Sequence, residues 1–430
     1  MGMPSFPNLL NQPKLLNLPS LLNLPSPPSL PSLPSLPSLP NLIAALRTAC
    51  LGLGFSSFLA FQPAAAASLS LSYIGQQILP TGFMRGNPAA LPNVALGGLS
   101  GIDPIGGARF IAISDDRSQV GPARFYTLSL KLDAKAFSGL TVDSATVLLD
   151  PAGKAYAPLQ IDPESIRRLP NGNTLYTSEG DTSRGVDAFI REARPDGSFV
   201  RDLSLPPLFQ QSHGGATGVR NNLAFESLTL MKDGTQVMTA TENALLQDGP
   251  AAAPGVASPS RLLVFDLATG AAVAQHVYLV CPVPVAATPA SAFSTNGLVE
   301  LLHVGGTQFI AVERSYVTGR VRPFSSTGNS VQLYLIDTAD ATDVSALASL
   351  VGQRYTPVKK TLLFDLDSLQ IPIDNIEGIS FGPLLDNGAR SLILVSDNNF
   401  SASQFTQFLA FQVQSLPAIA TATAAAPCPG

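Results

Sequence analysis

Internal repetition constrains this chain more than any other feature. Five segments align with one another: Gly98–Asp116 (GLSGIDPIGGARFIAISDD), Asp162–Asp181 (DPESIRRLPNGNTLYTSEGD), Ala224–Asn243 (AFESLTLMKDGTQVMTATEN), Gly297–Ser315 (GLVELLHVGGTQFIAVERS) and Asn375–Asn399 (NIEGISFGPLLDNGARSLILVSDNN). Each reads as an acidic or small residue, a strand, a tight turn containing Gly, a second strand, and then an acidic residue. From Ser100 through Glu164, Glu226, Glu300 and Glu377 the repeat advances by 64, 62, 74 and 77 residues. That period fits one four-stranded propeller blade with generous loops.

Two further strand-like runs follow each of the first four hairpins, among them ARFYTLSLKLD with ATVLLD, and VQLYLID with KKTLLFDLD. The fifth hairpin is followed by a single run, QFLAFQVQ, and the missing partner is expected from LSLSYIGQQIL, beginning at Leu69. Closing the last blade with the first strand ties the ends of the ring and removes its sheet edges. The expected fold is therefore an all-β propeller of five four-stranded blades, with six possible if one blade is degenerate.

Hairpin register turns the repeat into a prediction about chemistry. Residues that face each other across a turn have numbers summing to twice the turn centre. Glu164 with Glu179 centres the turn on Asn171-Gly172, Glu226 with Glu242 on Gly234, and Glu377 with Asp397 on Asn387. Ser100 with Asp115 centres it on Gly107, and Glu300 with Glu313 beside Gly305-Gly306. Both acids of a copy then lie at the non-turn end of its hairpin, and the ring gathers Asp115, Glu164, Glu179, Glu226, Glu242, Glu300, Glu313, Glu377 and Asp397 at one mouth of the channel. Like charges facing across strands are destabilising, and clustered carboxyls raise one another's pKa. Hard cations with oxygen ligands, Ca²⁺ foremost, explain five copies of that cost, with Asp115, Glu164, Glu179, Glu226, Glu242 and Glu300 as expected ligands. The bland reading is that duplicated acids cap strand ends.

Three arginines follow the second acidic column, Arg117, Arg184 and Arg314. They are candidates to clamp a phosphate or carboxylate, or else surface ion-pair partners. His213, in the Gly-rich SHGGATG, is a candidate acid or base. The chain contains no P-loop, HExxH or helix-opening GxGxxG.

Composition narrows the setting. Charged residues are 13% of the chain and the net charge is −5, without a basic stripe for nucleic acid. Residues 1–40 are low complexity, repeating Leu-Pro-Ser, which favours polyproline II over a packed core. Arg47, the apolar run Ala49–Phe61 and the small residues up to Ala67 describe a secretory signal over 41–67, with an uncleaved anchor as the alternative. That leaves the propeller over 68–416, a flexible tail over 417–430 and no membrane span in the mature chain. The expected location is secreted, periplasmic or cell-surface, and a monomer is expected. Cys281 and Cys428 would remain, either as a disulfide or as two unrelated thiols.

GLSGID at Gly98–Asp103, DPES at Asp162–Ser165, RNNLAFESL at Arg220–Leu228, ERSY at Glu313–Tyr316 and NIEGISFGP…LVSDNNF at Asn375–Phe400 resemble the phytase-like esterase family. The resemblance spans about 85–413 and implies a phosphoester hydrolase, Ca²⁺-dependent, acting on a small phosphorylated or ester substrate. It carries over Glu164, Glu226, Glu300, Glu377, Glu179, Glu313 and Asp397. Of these Glu377, Glu313 and Asp397, together with His213 from the residue reading above, are the expected catalytic set. Ser100 stands where the other copies have Glu, and the DAxDDPA-type signature of true β-propeller phytases is absent, which argues against phytate. A calcium-stabilised binding propeller at the cell surface and a propeller lactonase are the competing readings.

Overall fold

The computed structural model describes residues 68–80, 96–211, 215–416 and 428. The low-complexity segment and the expected signal peptide lie outside these residues. Twenty strands form five four-stranded antiparallel sheets. Strand β1 (Ser68–Pro80) comes first. Blade 1 is β2 (Leu99–Gly106), β3 (Arg109–Ser114), β4 (Arg124–Leu132) and β5 (Phe137–Val147); blade 2 is β6 (Pro163–Arg168), β7 (Thr174–Ser178), β8 (Phe189–Ala193) and β9 (Phe199–Asp202). Blade 3 is β10 (Phe225–Met231), β11 (Gln236–Thr241), β12 (Ser258–Asp266) and β13 (Ala272–Val280); blade 4 is β14 (Ser294–Gly305), β15 (Gln308–Val317), β16 (Asn329–Asp337) and β17 (Lys359–Asp365). Blade 5 is β18 (Asn375–Leu384), β19 (Arg390–Asp397) and β20 (Phe405–Leu416), completed by β1. The architecture is a five-bladed β-propeller, and no sixth sheet exists among the described residues.

Closure occurs as the sequence implies: β1 pairs antiparallel with β20 from Ser68↔Leu416 to Pro80↔Phe405. One outer strand departs from expectation. The fourth strand of blade 1 is Phe137–Val147 rather than the apolar ATVLLD, because this outermost strand is half exposed and alternates small, polar and apolar residues.

The core lies between blades. Five clusters of buried side chains fill the interfaces in ring order. Ile111, Ile113 and Phe125 meet Ile166 and Tyr176 between blades 1 and 2, and Leu175 and Ile190 meet Leu228 and Leu263 between blades 2 and 3. Met238 and Leu262 meet Phe309 and Tyr334 between blades 3 and 4, Val312 and Leu333 meet Ile379 and Leu409 between blades 4 and 5, and Ile393 and Phe408 meet Ile102 and Phe110 to close the ring. Both faces of each inner strand are thus covered, which is why those strands read as continuous apolar runs. Cys281, after β13, is joined to Cys428 with Cα atoms 5.6 Å apart. No helix among the described residues is long and apolar enough to cross a membrane.

Candidate functional site

The innermost hairpin of each blade carries a β-bulge at its non-turn end. Register slips by one between Leu99 and Gly101, Phe225 and Ser227, Leu298 and Glu300, and Ile376 and Gly378, and a similar irregularity separates Pro163 from Ile166. The extra residue is Ser100, Glu226, Val299 and Glu377 in four blades, and Glu164 lies inside the fifth slip. A bulge takes its residue out of the ladder alternation and re-aims the side chain. Here it lets the acid leave the inter-blade core for the channel mouth. The second column lies at the end of the second strand: Asp115, Glu179 and Glu242 follow the last paired residues Ser114, Ser178 and Thr241, and Asp397, after Ser396, is itself the last paired residue, opposite Asn375.

Blade 4 breaks the pattern. There Leu298 pairs with Glu313 and Glu300 with Val312, so Val299 stands where blades 2, 3 and 5 have Glu and blade 1 has Ser100, and Arg314 stands where all four have an acid. Glu300 is instead one step inward, where the other blades have Gly101, Ser165, Ser227 and Gly378. In blade 1 the position has no room for a side chain: a Cβ on Gly101 would lie 2.8 Å from the Glu164 carbonyl oxygen. Glu300 is fully buried and accepts from Ser165 Oγ at 2.6 Å, Leu228 N at 2.8 Å and Arg167 at 2.9 Å. Arg167 also donates to the carbonyls of Ile102, Ile166, Leu301 and Ile379. These groups belong to four of the five inner strands, so the Arg167–Glu300 pair sits on the axis and closes the channel below the mouth. Glu300 therefore leaves the expected mouth ring. Burial, opposed chiefly by Arg167, pushes its pKa up to about 7. Glu313 leaves the ring too: it faces blade 3, accepting from Tyr278 Oη at 2.8 Å, Asn296 Nδ2 at 3.0 Å and Lys360 Nζ.

Above the plug opens a cavity of about 1060 Å³. Its lining includes Asp115, Asp162, Glu164, Glu226, Glu242, Glu377 and Asp397, with only Arg117 and Arg314 as cationic partners. Of the expected site residues it brings together both of these arginines and six carboxyls, and Glu179 lies buried against them. Asp162 is an addition, two residues before Glu164 and signalled by nothing more than its place in DPES.

Carboxylate oxygens of Asp162, Glu164 and Glu179 all approach within 4.8 Å of one another, as do those of Glu179, Glu226 and Glu242. Glu164 accepts from Ser100 Oγ at 2.8 Å, so the one copy lacking Glu supplies a donor instead. Glu179 accepts from the Ala224 amide. Asn375 Nδ2 bridges Glu377 at 2.8 Å and Asp397 at 3.2 Å, and Asp397 also accepts from Asn399 N at 2.7 Å. Arg314 donates to Glu377 at 2.9 Å and stands 3.8 Å from Glu242. Buried Glu242 Oε1 and Arg314 Nε have no hydrogen-bond partner. Space for Glu242 is made by Gly297, where a Cβ would come within 1.9 Å of Oε1.

Burial pushes these acids up, and their neighbours push further. Glu164 is raised well above the usual carboxylate range by burial, then by Glu226 and Asp162. Glu226 is raised likewise by burial, then by Glu179 and Glu242, and Asp115 by burial, then by Asp397 and Glu377. Burial lifts Asp162 and Glu242 to about 7 each, against the pull of Arg117 and of Arg314 respectively. Near neutral pH so many crowded carboxyls are accommodated by shared protons or by cations. The donor set fits a hard divalent cation: it is all carboxylate oxygen, and buried Asp162 Oδ2 and Glu242 Oε1 accept no hydrogen bond, although each faces an arginine.

The other expected residues lie elsewhere. Arg117 pairs with Asp162 at the cavity wall and donates to Asn222 Oδ1 at 2.6 Å. Arg184 does not line the cavity; its side chain is 56% exposed and pairs with Asp181 at 3.1 Å, three residues away. His213 lies outside the described residues.

Among solved structures the similarities are distant. The endo-arabinase from Bacteroides thetaiotaomicron is 9% identical over 82% of this chain and 99% of its own, with a TM-score of 0.40. A luciferin-regenerating enzyme is 12% identical over 75% of this chain and 80% of its own, with a TM-score of 0.32. Both are likenesses of fold alone. No curated protein matches the chain. Residues 94–400, which contain all five inner hairpins and the whole acidic cavity, match the phytase-like family, described as esterase-like activity of phytase. The chain belongs to that family.

Proposed function

We propose that the protein is an exported, cation-dependent hydrolase of small phosphoesters, acting as a monomer in the acidic cavity. The observation that carries this reading is the imbalance of the cavity: seven carboxyls against two guanidinium groups, with a buried carboxylate oxygen and a buried guanidinium N–H both left unpartnered. A phosphate anion enters such a site only if cations accompany it. Asp162, Glu164, Glu179, Glu226 and Glu242 are the ligand candidates. A bound Ca²⁺, or another hard divalent cation, neutralises the carboxylates and polarises a phosphoryl oxygen.

The chain's own residues supply the rest. Arg314 is held between Glu377 and Glu242 and lines the cavity, which gives it the charge-stabilising role. Arg117 is anchored by Asp162 and Asn222 at the opposite wall and orients the phosphate. Asp397 lines the cavity and shares Asn375 Nδ2 with Glu377, which makes it the candidate proton acceptor for an attacking water. Glu377 is tied to Arg314 and acts mainly to position it. The disulfide suits an oxidising compartment and supports export.

Purified protein given Ca²⁺, Mg²⁺ or Mn²⁺ should hydrolyse p-nitrophenyl phosphate or its diester above an EDTA control. Arg314→Ala should lower kcat by about 10²-fold, the scale for one preorganised donor. Absence of turnover in every metal would refute catalysis. A cation-dependent rise in Tm without turnover would favour the binding-propeller reading.

A further inference from the structure

Blade 4 differs from the others at the cavity rim as well as at its floor. Phe293, just before β14, is 67% exposed and lines the cavity. Among the described residues the only other exposed aromatic is Tyr73, on the closing strand. Fully exposed Phe carries a hydration cost that a solvent-facing loop has no need to bear. Its ring lies 6.0 Å from that of Tyr316, at 33°. Tyr316 also lines the cavity, and its ring is backed by Gly328, where a Cβ would come within 2.9 Å. The Phe293 backbone is fixed by a hydrogen bond from Thr318 N at 3.1 Å. The pair is therefore a supported aromatic face, opening onto a cavity otherwise lined by polar residues and the small apolar groups of Leu223, Ala251 and Ala252.

Position relates this face to the floor. Arg314 and Tyr316 are alternate residues of β15, so their side chains emerge on one side of the strand about 7 Å apart. That is the separation between a phosphorus atom and the far part of a ring joined to it through one ester oxygen. The rim between Phe293 and Arg117 carries amide and hydroxyl groups, and no further cation lines the cavity.

We propose that Phe293 and Tyr316 form the leaving-group subsite, and that the preferred substrates are esters with a single phosphate on a planar, uncharged aromatic ring. This rests on the phosphoester reading of the cavity floor. The ring packs on Phe293 and Tyr316 while the phosphate meets Arg314 and the carboxylate-bound cation. A polyphosphorylated, non-aromatic alcohol finds neither enough cations nor a use for the aromatic face.

Two readouts test it on the full chain with Ca²⁺ present. In the first, kcat/KM is compared for 1-naphthyl phosphate, glycerol phosphate and inositol hexakisphosphate in wild type and Phe293→Ala. Wild type should favour naphthyl phosphate, and Phe293→Ala should lower its kcat/KM about 2- to 10-fold, mostly through KM, leaving glycerol phosphate unchanged. In the second, binding of the non-hydrolysable 1-naphthylmethylphosphonate is titrated by fluorescence and should weaken by the same factor in Phe293→Ala. Equal binding by both proteins, no binding by wild type, or a preference for glycerol phosphate would overturn the subsite. Phosphonate binding that depends on Phe293, without turnover of any ester, would uphold the subsite and refute the hydrolase.

Discussion

At the scale of single residues, the cavity stores protons. Asp162 and Glu242 titrate near 7 because burial outweighs their arginine partners, whereas the same groups in an unfolded chain titrate near 4. Between those limits the folded state holds more protons than the unfolded one, so stability falls as pH rises. In EDTA, Tm should therefore decline from about pH 4 to about pH 7, and saturating Ca²⁺ should abolish the decline by replacing the protons. A flat or rising Tm in EDTA over that range would contradict the assignment. Much of this cluster was legible from numbering alone, since four blades place their acids where hairpin register puts them. Blade 4 misled because a Glu was matched to a Glu. The better anchor is the hydroxyl residue before each second-column acid, Ser114, Ser178, Thr241 and Ser396. Blade 4 lacks it, and Arg314 rather than Glu313 fills the position.

At the scale of elements, the inner hairpin is the functional unit and the bulge is its device. A regular ladder would alternate its side chains between the two inter-blade interfaces; one extra residue frees a carboxyl for the channel without disturbing the apolar pairs on either side. Bulges were not legible in the sequence, since no residue type marks them here: Ser, Glu and Val all occupy the slip. Closure by β1 was legible, because counting strands left one blade short and one strand over. Leu71 of β1 belongs to the buried cluster between blades 4 and 5, so β1 joins the ring through side chains as well as backbone. Leu71→Ala should cost about 2–4 kcal/mol in denaturant unfolding with cation affinity unchanged. A loss below about 0.5 kcal/mol would mean that β1 adds little to closure.

At the scale of the whole molecule, five similar blades produce an unequal site. Blades 1, 2, 3 and 5 supply acids, and blade 4 supplies a guanidinium at the floor and an aromatic pair at the rim. Its displaced Glu300 joins Arg167 to seal the axis. The ring scaffold explains how one slipped hairpin alters the centre of the molecule: the inter-blade cores fix each inner strand, so changing one changes a single wall and leaves the rest in place. The central claim is that this wall arrangement encloses a cation-binding cluster organised by Glu179, which belongs to both carboxylate groups. Calorimetric titration of metal-stripped protein with Ca²⁺, in wild type and in Glu179→Gln, tests it most directly. The account predicts saturable binding by wild type and a loss of at least tenfold in affinity in Glu179→Gln, with the fold retained. No binding by wild type, or equal binding by both proteins, would contradict it.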